Sequence, residues 1–165
     1  DQKVNALVLD PARRRVYVST DITADANSAP PTQTTGQLVS FDMDALSVRR
    51  QQAIAPEATH NRVHALLPTG EVLAQAGRDL FGWDAEAGRL RSLGSVPEGF
   101  REVVHDPVGR LWASIGGKIG RLHVEGSGLR FDPMIEDEGR FLQVAGETLY
   151  YTVGFEVCSV GVKGS

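Results

Sequence analysis

A single cysteine, Cys158, stands in this chain of 165 residues, so no internal disulfide can form and no paired-Cys metal or redox motif exists. Its neighbours read as a strand, where a lone thiol acts as a small hydrophobe. No run approaches the roughly 20 consecutive apolar residues that a membrane-spanning helix needs, and neither a membrane segment nor a membrane partner is expected. No window of a dozen residues sustains the 3.6-residue apolar period, which leaves little room for helices. Cations are outnumbered, 17 Lys and Arg against 21 Asp and Glu, and the net charge of -4 argues against nucleic acid as a partner. The G-x-S-x-G elbow of hydrolases and the glycine loop that cradles phosphates are both missing.

What the chain does contain is a recurring unit. Arg62, Arg101 and Arg140 follow one another at intervals of 39 residues, each opening an apolar strand-like run, and Lys3 opens a fourth. Self-similarity at this period points to a repeat architecture. The inner runs, such as Val4 to Leu9 and Val63 to Leu67, are followed by turns carrying Pro or Gly, among them Asp10-Pro11-Ala12-Arg13 and Asp106-Pro107-Val108-Gly109. Such residues preset a reversal. Second strands align as Val16-Tyr17-Val18-Ser19, Val72-Leu73-Ala74-Gln75, Leu111-Trp112-Ala113-Ser114 and Leu149-Tyr150-Tyr151-Thr152, rich in the β-branched and aromatic residues that suit a sheet. The expected architecture is all-β: a β-propeller of about four four-stranded antiparallel blades, near 3–55, 62–97, 101–135 and 140–162, the last lacking its outer strand. Trp83, Trp112, Phe41 and Tyr17 fall where they would fill the wedges between blades.

Units of the form V-x-A-L-x-x-D-P-x-x-R-x-V-Y-V-S-T, with L-V-S-F-D and D-A-E-A-G-R-L behind them, resemble YVTN and quinoprotein-like propeller repeats over nearly the whole chain. The resemblance implies a bacterial propeller protein of a kind often secreted and of largely unassigned function, hence a soluble, secreted or cell-surface setting. It implies no cofactor, because the tryptophan-ended docking motif of quinone-dependent dehydrogenases is missing, as is the Asp-box of sialidases. The chain begins at Asp1 without Met, at the edge of its first inner strand. The expectation is therefore a segment of a larger propeller, its end faces covered by the rest of a parent chain, by a second copy, or by direct closure into a small four-bladed ring.

Loops entering inner strands and loops joining second to third strands share one face of a propeller. That face would collect Lys3, Arg62, Arg101 and Arg140, with Arg78 and Lys118 from short glycine-containing loops. Converging cations focus a positive potential, and guanidinium groups grip carboxylate or phosphate in paired hydrogen bonds. The expected ligand is an anionic small molecule, a glycan or an acidic segment of a protein partner. The bland alternative is that each cation pairs with a carboxylate nearby, such as Glu98, Glu102 or Glu136. A long loop, 21–36, breaks the repeat on the same face, and its Asp21 and Asp25 extend the candidate site. His60 and His64 lie four residues apart but straddle a loop and a strand, with no third zinc ligand in the pattern, so no metal site is expected. No catalytic residue stands out. Two functions follow: a non-catalytic propeller module that binds an anion at its arginine-rich mouth, or a piece of a propeller enzyme, of carbohydrate lyase or hydrolase class, whose catalytic residues lie elsewhere.

Overall fold

The computed structural model describes residues 2–22, 34–55 and 57–162. It contains four antiparallel sheets arranged as the blades of a β-propeller, and no helix among the described residues. Blade 1 comprises β1 (Gln2–Asp10), β2 (Arg15–Ile22), β3 (Gln37–Asp42) and β4 (Ser47–Ala53). Blade 2 comprises β5 (Asn61–Leu66), β6 (Val72–Ala76), β7 (Asp79–Asp84) and β8 (Arg89–Ser95). Blade 3 comprises β9 (Glu102–His105), β10 (Leu111–Ile115), β11 (Lys118–Glu125) and β12 (Gly128–Ile135). Blade 4 has three strands, β13 (Arg140–Ala145), β14 (Thr148–Val153) and β15 (Glu156–Gly161), in agreement with the missing outer strand read from the sequence.

Turn chemistry explains why the strands reverse where they do. Asp106 accepts hydrogen bonds from the amides of Val108 and Arg110 on Oδ1 and from the Arg110 guanidinium on Oδ2. Burial alone would raise its carboxyl, but these donors hold it below the usual carboxylate range. Asp10 caps the equivalent turn of blade 1 through the Arg13 amide at 3.0 Å. Gly109 and Gly70 occupy the closing position of such turns with φ of 84°, a conformation open to glycine and costly to other residues. Between third and outer strands, Asp42 and Asp84 each accept two amides of the following turn.

Packing follows from the period of 2 along each strand. Every blade has a rear face, turned to the preceding blade, and a leading face, turned to the next. Tyr17 and Leu38 on the leading face of blade 1 pack with Val72, Ala74 and Trp83 on the rear face of blade 2. Tyr17 meets Trp83 edge-on, with ring centroids 5.8 Å apart. Leu73 and Leu80 then pack with Leu111, Ala113 and Leu122 of blade 3, and Trp112 and Ile119 with Leu149 and Tyr151 of blade 4. Trp83, Trp112 and Tyr17 thus take the wedge positions expected of them. Phe41 corrects that reading: it is paired with Val16 on the rear face of blade 1, away from the wedge between blades 1 and 2, and is only partly buried. The inner strands pack in the order β1, β5, β9, β13, with no comparable packing from β13 back to β1. The four blades therefore form an open arc.

Candidate functional site

Inner-strand starts and second-to-third turns do share one end of the arc. Three arginines meet there: Arg62 of β5, Arg101 just before β9, and Arg140 at the head of β13 line one depression of about 310 Å³, together with Glu102 and Phe141. Register puts them there, since Arg62 is paired with Gln75, Glu102 with Ser114, and Arg140 with Thr152, each at the same level of its blade. All three arginines are exposed and none lies within 4.0 Å of a carboxylate among the described residues. Glu102, the nearest acidic neighbour in sequence, instead accepts the Leu142 amide at 3.0 Å and pins blade 4 to blade 3. Among the described residues, the carboxylate-pairing alternative is met by Lys118, whose ammonium contacts Glu136 at 2.7 Å.

The floor of the site is irregular backbone. β13 breaks register between Arg140 and Gln143, and Phe141 sits at the break with φ of 53° and 73% exposure. An aromatic residue in the left-handed region is strained, and such outliers gather at ligand sites. Nothing in the sequence marks Phe141 for this role, since a glycine would have been the signal. β5 has a similar break between Val63 and Ala65, which turns His64 out of the ladder. His64 Nε2 lies 2.9 Å from Gln75 Oε1, and its ring meets Phe100 edge-on at 5.1 Å. The Gln75 amide nitrogen already donates to Gly77 O, which leaves Oε1 to accept the His64 Nε2 proton. Burial pushes the His64 pKa down to about 4, with the Arg62 charge acting the same way, so the ring is neutral at pH 7.

The other predicted residues are placed less centrally. Arg78 lines a separate, wider hollow with Gln75, Pro97, Glu98 and Phe100. Lys3 is exposed on β1, opposite Asp21. Asp21 is engaged with blade 2: Oδ1 accepts the Asn61 amide at 2.9 Å and Oδ2 lies 3.5 Å from His60 Nδ1. Asp25 lies outside the described residues, as does most of the 21–36 loop. His60 and His64 do not converge with a third ligand, and among the described residues no group of three His, Cys, Asp or Glu could hold a metal ion.

No protein-family model matches the sequence, and no curated protein matches it either. Solved structures do. A protein provisionally named a gluconolactonase superposes with a TM-score of 0.63 at 18% identity, over 96% of this chain and 58% of its own. A gluconolactonase from Xanthomonas campestris gives 0.61 at 18% identity, over 96% and 56%. A computationally designed protein, Ika4, gives 0.56 at 13% identity, over 98% of this chain and 92% of the design. At these identities the likeness concerns the fold, and it agrees with a propeller without singling out the YVTN repeats. The chain spans just over half the length of the gluconolactonases it matches.

Proposed function

We propose that the arginine-lined end of the arc binds an anionic ligand bearing carboxylate or phosphate groups. The observation that supports this reading most directly is that Arg62, Arg101 and Arg140 share one depression and, among the described residues, none has a carboxylate within 4.0 Å. In a chain that is acidic overall, three adjacent like charges repel one another, and an anion relieves that repulsion while accepting paired guanidinium hydrogen bonds. The depression, about 310 Å³, has the size of a small-molecule site. The strained, exposed Phe141 offers an apolar wall beside the charges. An acidic sugar, with a carboxylate for the arginines and a ring face for Phe141, fits these features together.

Calorimetric titration with glucuronate, citrate and inorganic phosphate, with glucose as the neutral control, tests the reading. Binding of at least one anion and not of glucose is expected, weakening as salt rises. Loss of one guanidinium in Arg101→Ala should lower affinity by about 10- to 100-fold, the range of a hydrogen bond to a charged group. Failure of every anion to bind at millimolar concentration, or indifference to Arg101→Ala, would sink it.

The structural neighbours support a second reading, part of a lactone-hydrolysing propeller, in which water adds to the lactone carbonyl, the ring C–O bond breaks, and a carboxylate product forms beside the arginines. That step needs a base. The candidates at this end are Glu102, already bonded to the Leu142 amide, and His64, whose low pKa makes it a weak one. Incubation with δ-gluconolactone at pH 6.5 tests it: a rate above the buffer blank that falls in Glu102→Gln would establish hydrolysis at this end, and the binding reading expects none.

A further inference from the structure

Taking the proposed anion site as the premise, we infer that a second hollow beside it is a hydroxyl-recognising subsite, in which Asn5 and His64, displaced from their strands by matching bulges, select a polyhydroxy carboxylate over other anions. The hollow, about 230 Å³, is lined by Asn5, His64, Gln75 and Phe100, and it has Arg62 and Arg101 in common with the depression that holds Arg140. It lies among blades 1, 2 and 3, whose inner strands pack on one another in sequence. A ligand gripped by the arginines therefore has a second, uncharged set of groups within its reach.

Two breaks in the ladders build the subsite. β1 shifts register between Val4 and Ala6, and β5 between Val63 and Ala65, so Asn5 and His64 are extra residues at equivalent places, each two residues after the cation that opens its inner run. Blade 3 has no such shift: Val103, at the same place in the repeat, pairs in regular register with Ala113 and is buried. A bulge re-aims a side chain, and bulges are frequent beside active sites. Each displaced side chain is then oriented by one hydrogen bond that leaves an acceptor over. Asn5 Nδ2 donates to Asn61 O at 2.9 Å, which leaves Oδ1 to accept. His64 gives its Nε2 proton to Gln75 Oε1 and packs edge-on against Phe100, which leaves the lone pair of Nδ1. Among the described residues neither acceptor has a protein partner. Guanidinium groups only donate, whereas these two atoms accept. Phosphate or a plain carboxylate satisfies the arginines and offers the acceptors nothing; a sugar acid, with hydroxyls beside its carboxylate, satisfies both sets. A site built to bond a hydroxyl discriminates against the analogue that lacks it, because its own polar groups then go unpaired.

Glucuronate and cyclohexanecarboxylate each join a six-membered ring to a carboxylate, and only the first carries hydroxyls. Calorimetric titration of the 165-residue chain with both should give glucuronate the lower dissociation constant, by about tenfold or more. Asn5→Ala and His64→Leu should each remove most of that advantage while moving the affinity for cyclohexanecarboxylate by less than about twofold. Asn5 is exposed, so its variant keeps the fold and tests the subsite even where His64→Leu fails to fold. Equal affinity for the two carboxylates, or a preference for glucuronate untouched by Asn5→Ala, would overturn the subsite and leave the arginine site standing. Binding of neither compound at millimolar concentration would remove both.

Discussion

Burial makes His64 a proton-sensitive element of the fold. Its pKa falls from the ordinary 6.5 to about 4 on folding, so the unfolded chain binds the proton more tightly. The stability that this neutral ring contributes is complete above about pH 6.5 and is lost progressively as pH falls toward 4. Urea unfolding at a series of pH values should therefore show the midpoint declining across that window, and His64→Gln should flatten the decline. Asp42, Asp84 and Asp106 have lowered carboxyl pKa values, so their stabilising effect is lost only at more acidic pH and is separable. At this scale the sequence reveals charge placement well and backbone strain poorly. The 39-residue spacing of arginines led to three side chains around one depression, because register in a sheet translates spacing into level. Phe141 was invisible, because a left-handed φ at an aromatic residue has no compositional trace.

Strands and turns were largely legible, since alternation and Asp-Pro or glycine turns are local signals. The partner of each face was harder to read, because it depends on which blade stands next. Phe41 shows the difference: it holds the same third-strand position in its blade as Trp83, yet Trp83 is sealed against blade 1 while Phe41 is only partly buried. Trp112 fills the wedge between blades 3 and 4, with the Arg121 guanidinium 5.3 Å from its ring centre. Trp112→Ala should cost about 3–5 kcal/mol by leaving a cavity there, measured as a loss of unfolding free energy in urea. Gly120 marks a different constraint. A Cβ added at this position would collide with the backbone of Asp132 and Pro133 across the β11–β12 pair, where the register already shifts. Flexible side chains can yield to such a collision and backbone cannot.

Over the whole molecule, stability should be graded from the middle of the arc outward. Among the described residues, blades 2 and 3 pack on both faces, whereas blades 1 and 4 each pack on one, and β15 is the edge of a sheet of three strands. Amide hydrogen exchange should be slowest in β6 and β10 and fastest in β15; uniform protection across the four blades would contradict this gradient.

The distinction between rear and leading faces reaches further than the packing it explains. A sheet that accepts on one side what it offers on the other can be copied into the chain at any interblade turn without rewriting its neighbours. In-frame duplication of residues 61–97 would set a leading face like that of blade 2 against a rear face like that of blade 2, a new pairing of familiar surfaces. Gene duplication thus has a ready unit of growth here, one sheet long, and blade number becomes a quantity that descent can change by steps while the arginine-bearing end keeps its level.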